Sequence, residues 1–165
     1  MKRLLKPGGI LIIIDLEMAI WNRDGSDPWA NVPVMCSYVE RVFKGLLSQG
    51  IDLTGMPLTG TWLREMGGFA EVDDTVTSIP VGDWESDELQ KEIGIMARDN
   101  IVSVLFSTHP LWRRAGKSPE EIEQICEAAR NELFSGHQIF TRMFYTFARK
   151  EMETYDDDGL DFSMD

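Results

Sequence analysis

The chain has 165 residues, 43% of them hydrophobic and 27% charged, with a formal net charge of −12. That size and apolar content suit a single domain with its own core, and the longest apolar run, at residues 10–14, is far too short to cross a bilayer. An acid excess with no basic stripe argues against nucleic acid and anionic membranes as partners, and a start interrupted by Gly8, Gly9 and Asp15 lacks the form of a secretory signal, so a cytoplasmic or nuclear protein is expected.

In chain order, Lys6-Pro7-Gly8-Gly9 is turn chemistry, because proline fixes φ and glycine admits positive φ. The unbroken run Ile10-Leu11-Ile12-Ile13-Ile14 that follows reads as a strand covered on both faces, as in a parallel α/β sheet. Residues 17–33 mix Trp21, Asp24-Gly25, Asp27-Pro28, Trp29 and Pro33 and predict a long loop. Tyr38, Val39, Val42, Phe43, Leu46 and Leu47 recur at helical spacing over residues 34–47, with Gly50 as the stop. A short helix from Thr59 or Thr61 ends at Gly67-Gly68, and an extended segment follows over residues 70–79. Ser86 is the expected N-cap of a long helix whose apolar face runs from Leu89 to Leu105. Ser118-Pro119-Glu120-Glu121 is a capping box that launches a helix to about Phe134. Cys126 falls on its apolar stripe, and both cysteines, Cys36 and Cys126, read as small core residues rather than metal ligands or disulfide partners. Residues 139–148, rich in aromatic and β-branched side chains, predict a last covered strand. The domain is expected over residues 1–150. Residues 151–165 carry seven acids and no Lys or Arg, leave −5 on the body, and predict a disordered acidic tail.

The "LLKPGG" turn, apolar strand and terminal Asp15 resemble the fifth strand of class I S-adenosylmethionine-dependent methyltransferases. Trp62-Leu63-Arg64-Glu65-Met66-Gly67-Gly68-Phe69-Ala70-Glu71-Val72 is similar to that family's passage from a helix into its sixth strand. Ile79-Pro80-Val81-Gly82-Asp83-Trp84, Glu92-Ile93-Gly94, Ser118 to Glu123 and Tyr145 to Lys150 resemble further elements, in the same order, of the methyltransferases of fungal secondary metabolism, a group that includes the global regulator of such gene clusters. The resemblance implies an α/β fold, the carboxyl-terminal half of a Rossmann-like sheet with three strands and about four helices, including a helical substrate lid. It also implies S-adenosylmethionine as the family's cofactor. The glycine-rich first turn and ribose-binding acid of the family have no match in this sequence, so no cofactor-binding residue is assigned and none is expected to be bound by this chain alone.

On this fold a ligand pocket opens at the carboxyl ends of the strands, which singles out Asp15 and Glu17 as general bases toward a substrate hydroxyl, the alternative being that they cap a loop. His109, between two long helices in the lid that the resemblance suggests, is the third catalytic candidate, as one polar handle in an apolar pocket. The other reading is a loop histidine packed on Trp112. Trp21, Trp29 and Trp112 are candidates to sandwich a flat substrate, whereas Trp62 and Trp84 read as plugs. No Gly-x-Ser-x-Gly or P-loop occurs, His137 has no neighbours that suggest a role, and two histidines make a histidine metal site improbable.

Three functions remain open. One is the substrate-binding half of a methyltransferase acting on a small molecule of fungal secondary metabolism. The second is a cofactor-independent cyclase or isomerase acting on a biosynthetic intermediate, and the third a non-catalytic regulatory interaction protein. In the resembling family the fifth strand is flanked on both sides; here one flank of residues 10–14 is expected to be free and covered by a second copy, by a complementary amino-terminal half, or by an element of the chain itself.

Overall fold

A computed structural model describes residues 4–152. The acidic stretch from residue 153 onward lies outside the described residues.

The first strand, β1 (Ile10–Leu16), begins after a closed turn in which the Gly9 amide donates to the Lys6 carbonyl at 2.9 Å and Gly8 holds φ 71°, a conformation glycine adopts without steric cost. The expected loop over residues 17–33 is organised by a two-residue strand, β2 (Trp21–Asn22), and a 3-10 turn at Pro28–Ala30 capped by the Asp27 carboxylate. Then come α1 (Pro33–Leu47), α2 (Thr59–Met66), β3 (Phe69–Val81), α3 (Glu88–Ser107), α4 (His109–Arg114), α5 (Pro119–Leu133) and β4 (Ile139–Lys150). The fold is thus α/β, with one more strand and one more helix among the described residues than expected. The extra helix, α4, begins at His109 itself, where the sequence suggested a loop. Its first turn is opened by Pro110, which has no amide to satisfy.

Two caps follow directly from side-chain reach. Asp87, not Ser86, caps α3, because its carboxylate accepts from the Gln90 amide at 2.9 Å. Ser118 and Glu121 form the expected reciprocal box on α5, with bonds of 3.2 and 2.9 Å.

Every ladder runs through β4, and all are antiparallel. β1 pairs with β4 from Ile10↔Arg149 to Leu16↔Met143, β2 pairs at Trp21↔Phe140, and β3 pairs on the other edge of β4, ending at Val81↔Ile139. Because side chains alternate along a strand, this register puts Leu11, Ile13, Thr146, Ala148, Val72 and Asp74 on one face. Helix α2 packs there, where the Asp74 carboxylate joins Thr146 Oγ1 to the Arg64 guanidinium of α2, both at 2.8 Å. The opposite face carries Ile10, Ile12 and Ile14 beside Tyr145 and Phe147. Its upper end is bare among the described residues: Ile10, Ile12 and Ile14 are 47%, 62% and 57% exposed. The expectation that this strand is covered on both faces is therefore not met within the described residues. The isoleucine run is continuous because both faces are apolar, but among the described residues Leu11 and Ile13 are half-buried while Ile10, Ile12 and Ile14 are exposed.

The main core fills the lower end of that second face. Val32, Met35, Tyr38 and Val42 of α1 and its entry, Leu105 of α3, Trp112 of α4, and Ile122, Cys126, Ala129 and Leu133 of α5 close around Val81 and Ile139. Both cysteines are free and buried, as the sequence suggests. Trp84 plugs the β3–α3 turn, its Nε1 donating to the Ile139 carbonyl at 3.0 Å. Trp62 is half exposed and lies against Gly55, where any Cβ would stand 2.3 Å from its ring. Among the described residues no helix is long and apolar enough to cross a membrane.

Candidate functional site

Where β1 ends, the chain leaves the sheet through Glu17, Met18, Ala19 and Ile20 and passes under α1 and α3. These elements enclose a cavity of about 250 Å³. Its walls are mostly apolar, with Leu16, Met18, Ile20, Met35, Val39, Ile101, Val104 and Leu105 contributing, and polar groups come from Glu17, Tyr38, Asn100 and Thr141. A concave apolar space with a few convergent polar groups is the usual form of a small-molecule site.

Glu17 is held rather than free. Its two carboxylate oxygens accept from Arg142 Nη2 and Nε, both at 2.6 Å, and Oε2 also accepts from Trp21 Nε1 at 2.8 Å. The Arg142 guanidinium lies 4.2 Å from the centre of the Trp21 ring, so one arginine is gripped by a fork below and an aromatic face above. Burial opposes the charged form of Glu17. The bonds from Arg142 and Trp21 together with the arginine's charge outweigh it, and the carboxyl stays below its ordinary value of 4.5. Thr141 Oγ1 donates to the Glu17 carbonyl at 2.9 Å and fixes the backbone there. An ionised carboxylate committed to three donors can orient a hydroxyl at the cavity rim. As a proton acceptor it is weakened by those same bonds.

Tyr38 forms the inner wall. Its hydroxyl donates to the Leu105 carbonyl at 3.3 Å and meets Thr108 Oγ1, while the Trp112 ring packs against it tilted by 43°, with centroids 5.6 Å apart. Burial pushes the phenol up to about 12, against the opposing bond from Thr108, so it is neutral at physiological pH. Burial likewise raises Cys36 to about 11 and moves Cys126 upward, which leaves neither thiol a nucleophile at neutral pH.

Of the six residues singled out from sequence, only Glu17 lines this cavity, and Trp21, outside it, donates to the Glu17 carboxylate. Asp15 is exposed on β1 opposite Phe144, and its carboxylate has no partner among the described residues. His109 sits behind the cavity wall, with Nε2 3.6 Å from Cys126 Sγ and its ring 5.7 Å from that of Phe106. Trp29 is 47% exposed in the 3-10 turn, and Trp112 is buried in the core. The residues missed from sequence are Arg142, Tyr38, Thr141 and Asn100. Arg142 carried a readable signal: an arginine inside an apolar strand demands a carboxylate across the sheet.

Among the described residues, the donors present do not fit those needed to hold S-adenosylmethionine. The β3–α3 turn contains one glycine, Gly82, whose amide already donates to the Gly94 carbonyl at 2.9 Å.

Among the described residues the chain is an α/β domain with an apolar cavity at the end of its edge strand. No family model matches the chain. Its sequence is similar to the methyltransferase pytC of Aspergillus terreus, 28% identical over 144 residues, which is 82% of this chain and 42% of the relative. The pytC sequence of A. terreus strain NIH 2624 / FGSC A1156 gives the same identity and coverage. The chain is therefore methyltransferase-like in sequence and spans less than half the length of the curated relatives it matches.

Proposed function

We propose that this chain supplies the acceptor-binding half of a small-molecule methyltransferase of fungal secondary metabolism. The observation that carries the reading is the apolar cavity at the end of β1, with Glu17 in its lining, in a sequence similar to a fungal methyltransferase. The acceptor is a compact, largely apolar molecule bearing a hydroxyl. Its apolar body lies against Met35, Val39, Ile101 and Val104, and its hydroxyl donates to the Glu17 carboxylate, which positions the oxygen without stripping its proton.

The cofactor-binding residues belong, in this reading, to a complementary half that adds a strand along the free edge of β1. The support is physical: the outer edge of β1 is an open template for a further strand among the described residues, and three exposed isoleucines leave apolar surface in water until a cover meets them. A second copy of this chain would meet the edge only, without supplying cofactor donors.

The test is a fluorescence titration of the whole chain with 1-naphthol, a compact phenol. Saturable binding is expected, abolished by Val104→Trp, which fills the cavity, and weakened by Glu17→Gln. Binding that is indifferent to both substitutions would remove the cavity from the account.

A further inference from the structure

The geometry points to a second ligand site, independent of the cavity: a cleft between α1 and α4 that takes a small phosphate-bearing amphiphile. It is larger, about 550 Å³, and opens on the surface away from Glu17. Its floor is apolar, built by Leu111 and the edge of Trp112, and four cations, Arg41, Lys44, Arg114 and Lys117, stand around it. No Asp or Glu lines it among the described residues. In a chain with 28 acids against 16 Lys and Arg, a cleft walled by cations alone runs against the composition.

How these cations are held decides what they can bind. Lys44 and Lys117 are tied only to Glu40 and Glu121 one helical turn away, at 2.6 and 2.8 Å on the surface. Such pairs contribute about 0.3–0.5 kcal/mol and yield readily to a stronger anion. Arg114 is oriented by a neutral group, Gln49 Oε1 at 3.1 Å, and keeps its full charge for a ligand. Arg41 has no hydrogen-bond or ion-pair partner among the described residues. Complementing a helix C-terminus accounts for Lys44 and for the arginines that end α4, since cations favour the last turn. It does not account for Arg41, which lies in the middle of α1.

The cleft is made possible by close helix approach. A Cβ on Gly45 would stand 2.9 Å from Leu111 Cδ1, so glycine there lets α4 seat its leucine and tryptophan as a floor. Apolar floor and cationic rim match a ligand with a short hydrocarbon body and a dianionic head, and the planar guanidinium of Arg41 or Arg114 grips two phosphate oxygens at once. Trp112 also packs, tilted, against Tyr38, the wall of the cavity, so one aromatic pair stands between the two sites.

Hexyl phosphate is the probe, titrated by calorimetry into the whole chain beside hexanol and pyrophosphate. Hexyl phosphate is expected to bind one per chain, at least tenfold more weakly in Arg41→Ala/Arg114→Ala, and more weakly as salt is raised. Lys91→Ala, a cation outside the cleft, and Glu17→Gln, in the other site, should leave it unchanged. Circular dichroism melts establish that the double variant is folded. The proposal is overturned if the double variant binds equally well, if hexanol binds as tightly as the phosphate, or if no phosphate ligand binds at low salt. It is also overturned if a synthetic peptide of residues 151–165 displaces hexyl phosphate at equal or lower concentration, because the cleft would then be a dock for an acidic peptide.

Discussion

Replacing Glu17 by glutamine removes one charge from the cavity rim and leaves its shape unchanged. Two bonds from the Arg142 guanidinium to a carboxylate at 2.6 Å become at most one bond to a neutral amide oxygen, while the Trp21 donor at 2.8 Å can still find that oxygen. Hydrogen bonds to charged groups contribute roughly 1.5–3 kcal/mol net. The Arg142 side chain is 35% exposed and the Glu17 side chain 17%, so water compensates part of the loss. A destabilisation of about 1–2 kcal/mol is therefore expected at neutral pH, or about 3–6 °C in melting temperature for a chain of this size. The pH dependence has a definite sign. A carboxyl whose folded pKa is lowered stabilises the fold above its unfolded value near 4.5, and that contribution fades as pH falls through the folded pKa. Parent and Glu17→Gln should thus differ at pH 7 and converge in acid, where Glu17 is protonated. Thermal melts at pH 7 and in acid decide the matter. Equal stability at pH 7, or a difference undiminished in acid, would refute the idea that the ion pair holds this rim.

Other consequences concern the frame around the site. Gly94→Ala would place a methyl 2.1 Å from the Gly82 carbonyl oxygen, backbone that cannot step aside, and should cost about 3 kcal/mol in urea unfolding. Gly45→Ala meets only the flexible end of Leu111 at 2.9 Å and gains helix propensity, so a change within about 1 kcal/mol is expected. Ser118→Ala removes the capping box of α5 and should cost about 1 kcal/mol by the same measurement. Ile12→Lys, at a site 62% exposed, should alter stability by less than about 1 kcal/mol while abolishing association through β1, read by sedimentation velocity. Association that survives this change would move the interface elsewhere.

Local rules carried most of the fold. The capping box at Ser118, the apolar stripe of α5 and the turn before β1 were legible because each is settled by neighbours in sequence. The N-cap of α3 was misplaced by one residue, since Ser86 and Asp87 are both good caps and only the backbone decides which reaches Gln90. The two faces of β1 look alike in sequence, and covering just one of them is a tertiary fact that a run of isoleucines does not encode. The site was half legible for the same reason. Position at a strand end singled out Glu17, but its partners Arg142 and Thr141 lie 125 and 124 residues away, and register across β4 brings them together. His109 attracted notice as a lone titratable group; the helix starting at that residue turns it toward Cys126 instead.

The central claim is that this chain holds an acceptor while another half holds the methyl donor. Calorimetric titration with S-adenosylmethionine tests it most directly, on the chain alone and on the chain mixed with the portion of pytC outside the matched segment. The account predicts no saturable binding by the chain alone at concentrations up to millimolar, and binding once the complementary half is present. Saturable binding by the chain alone would contradict it.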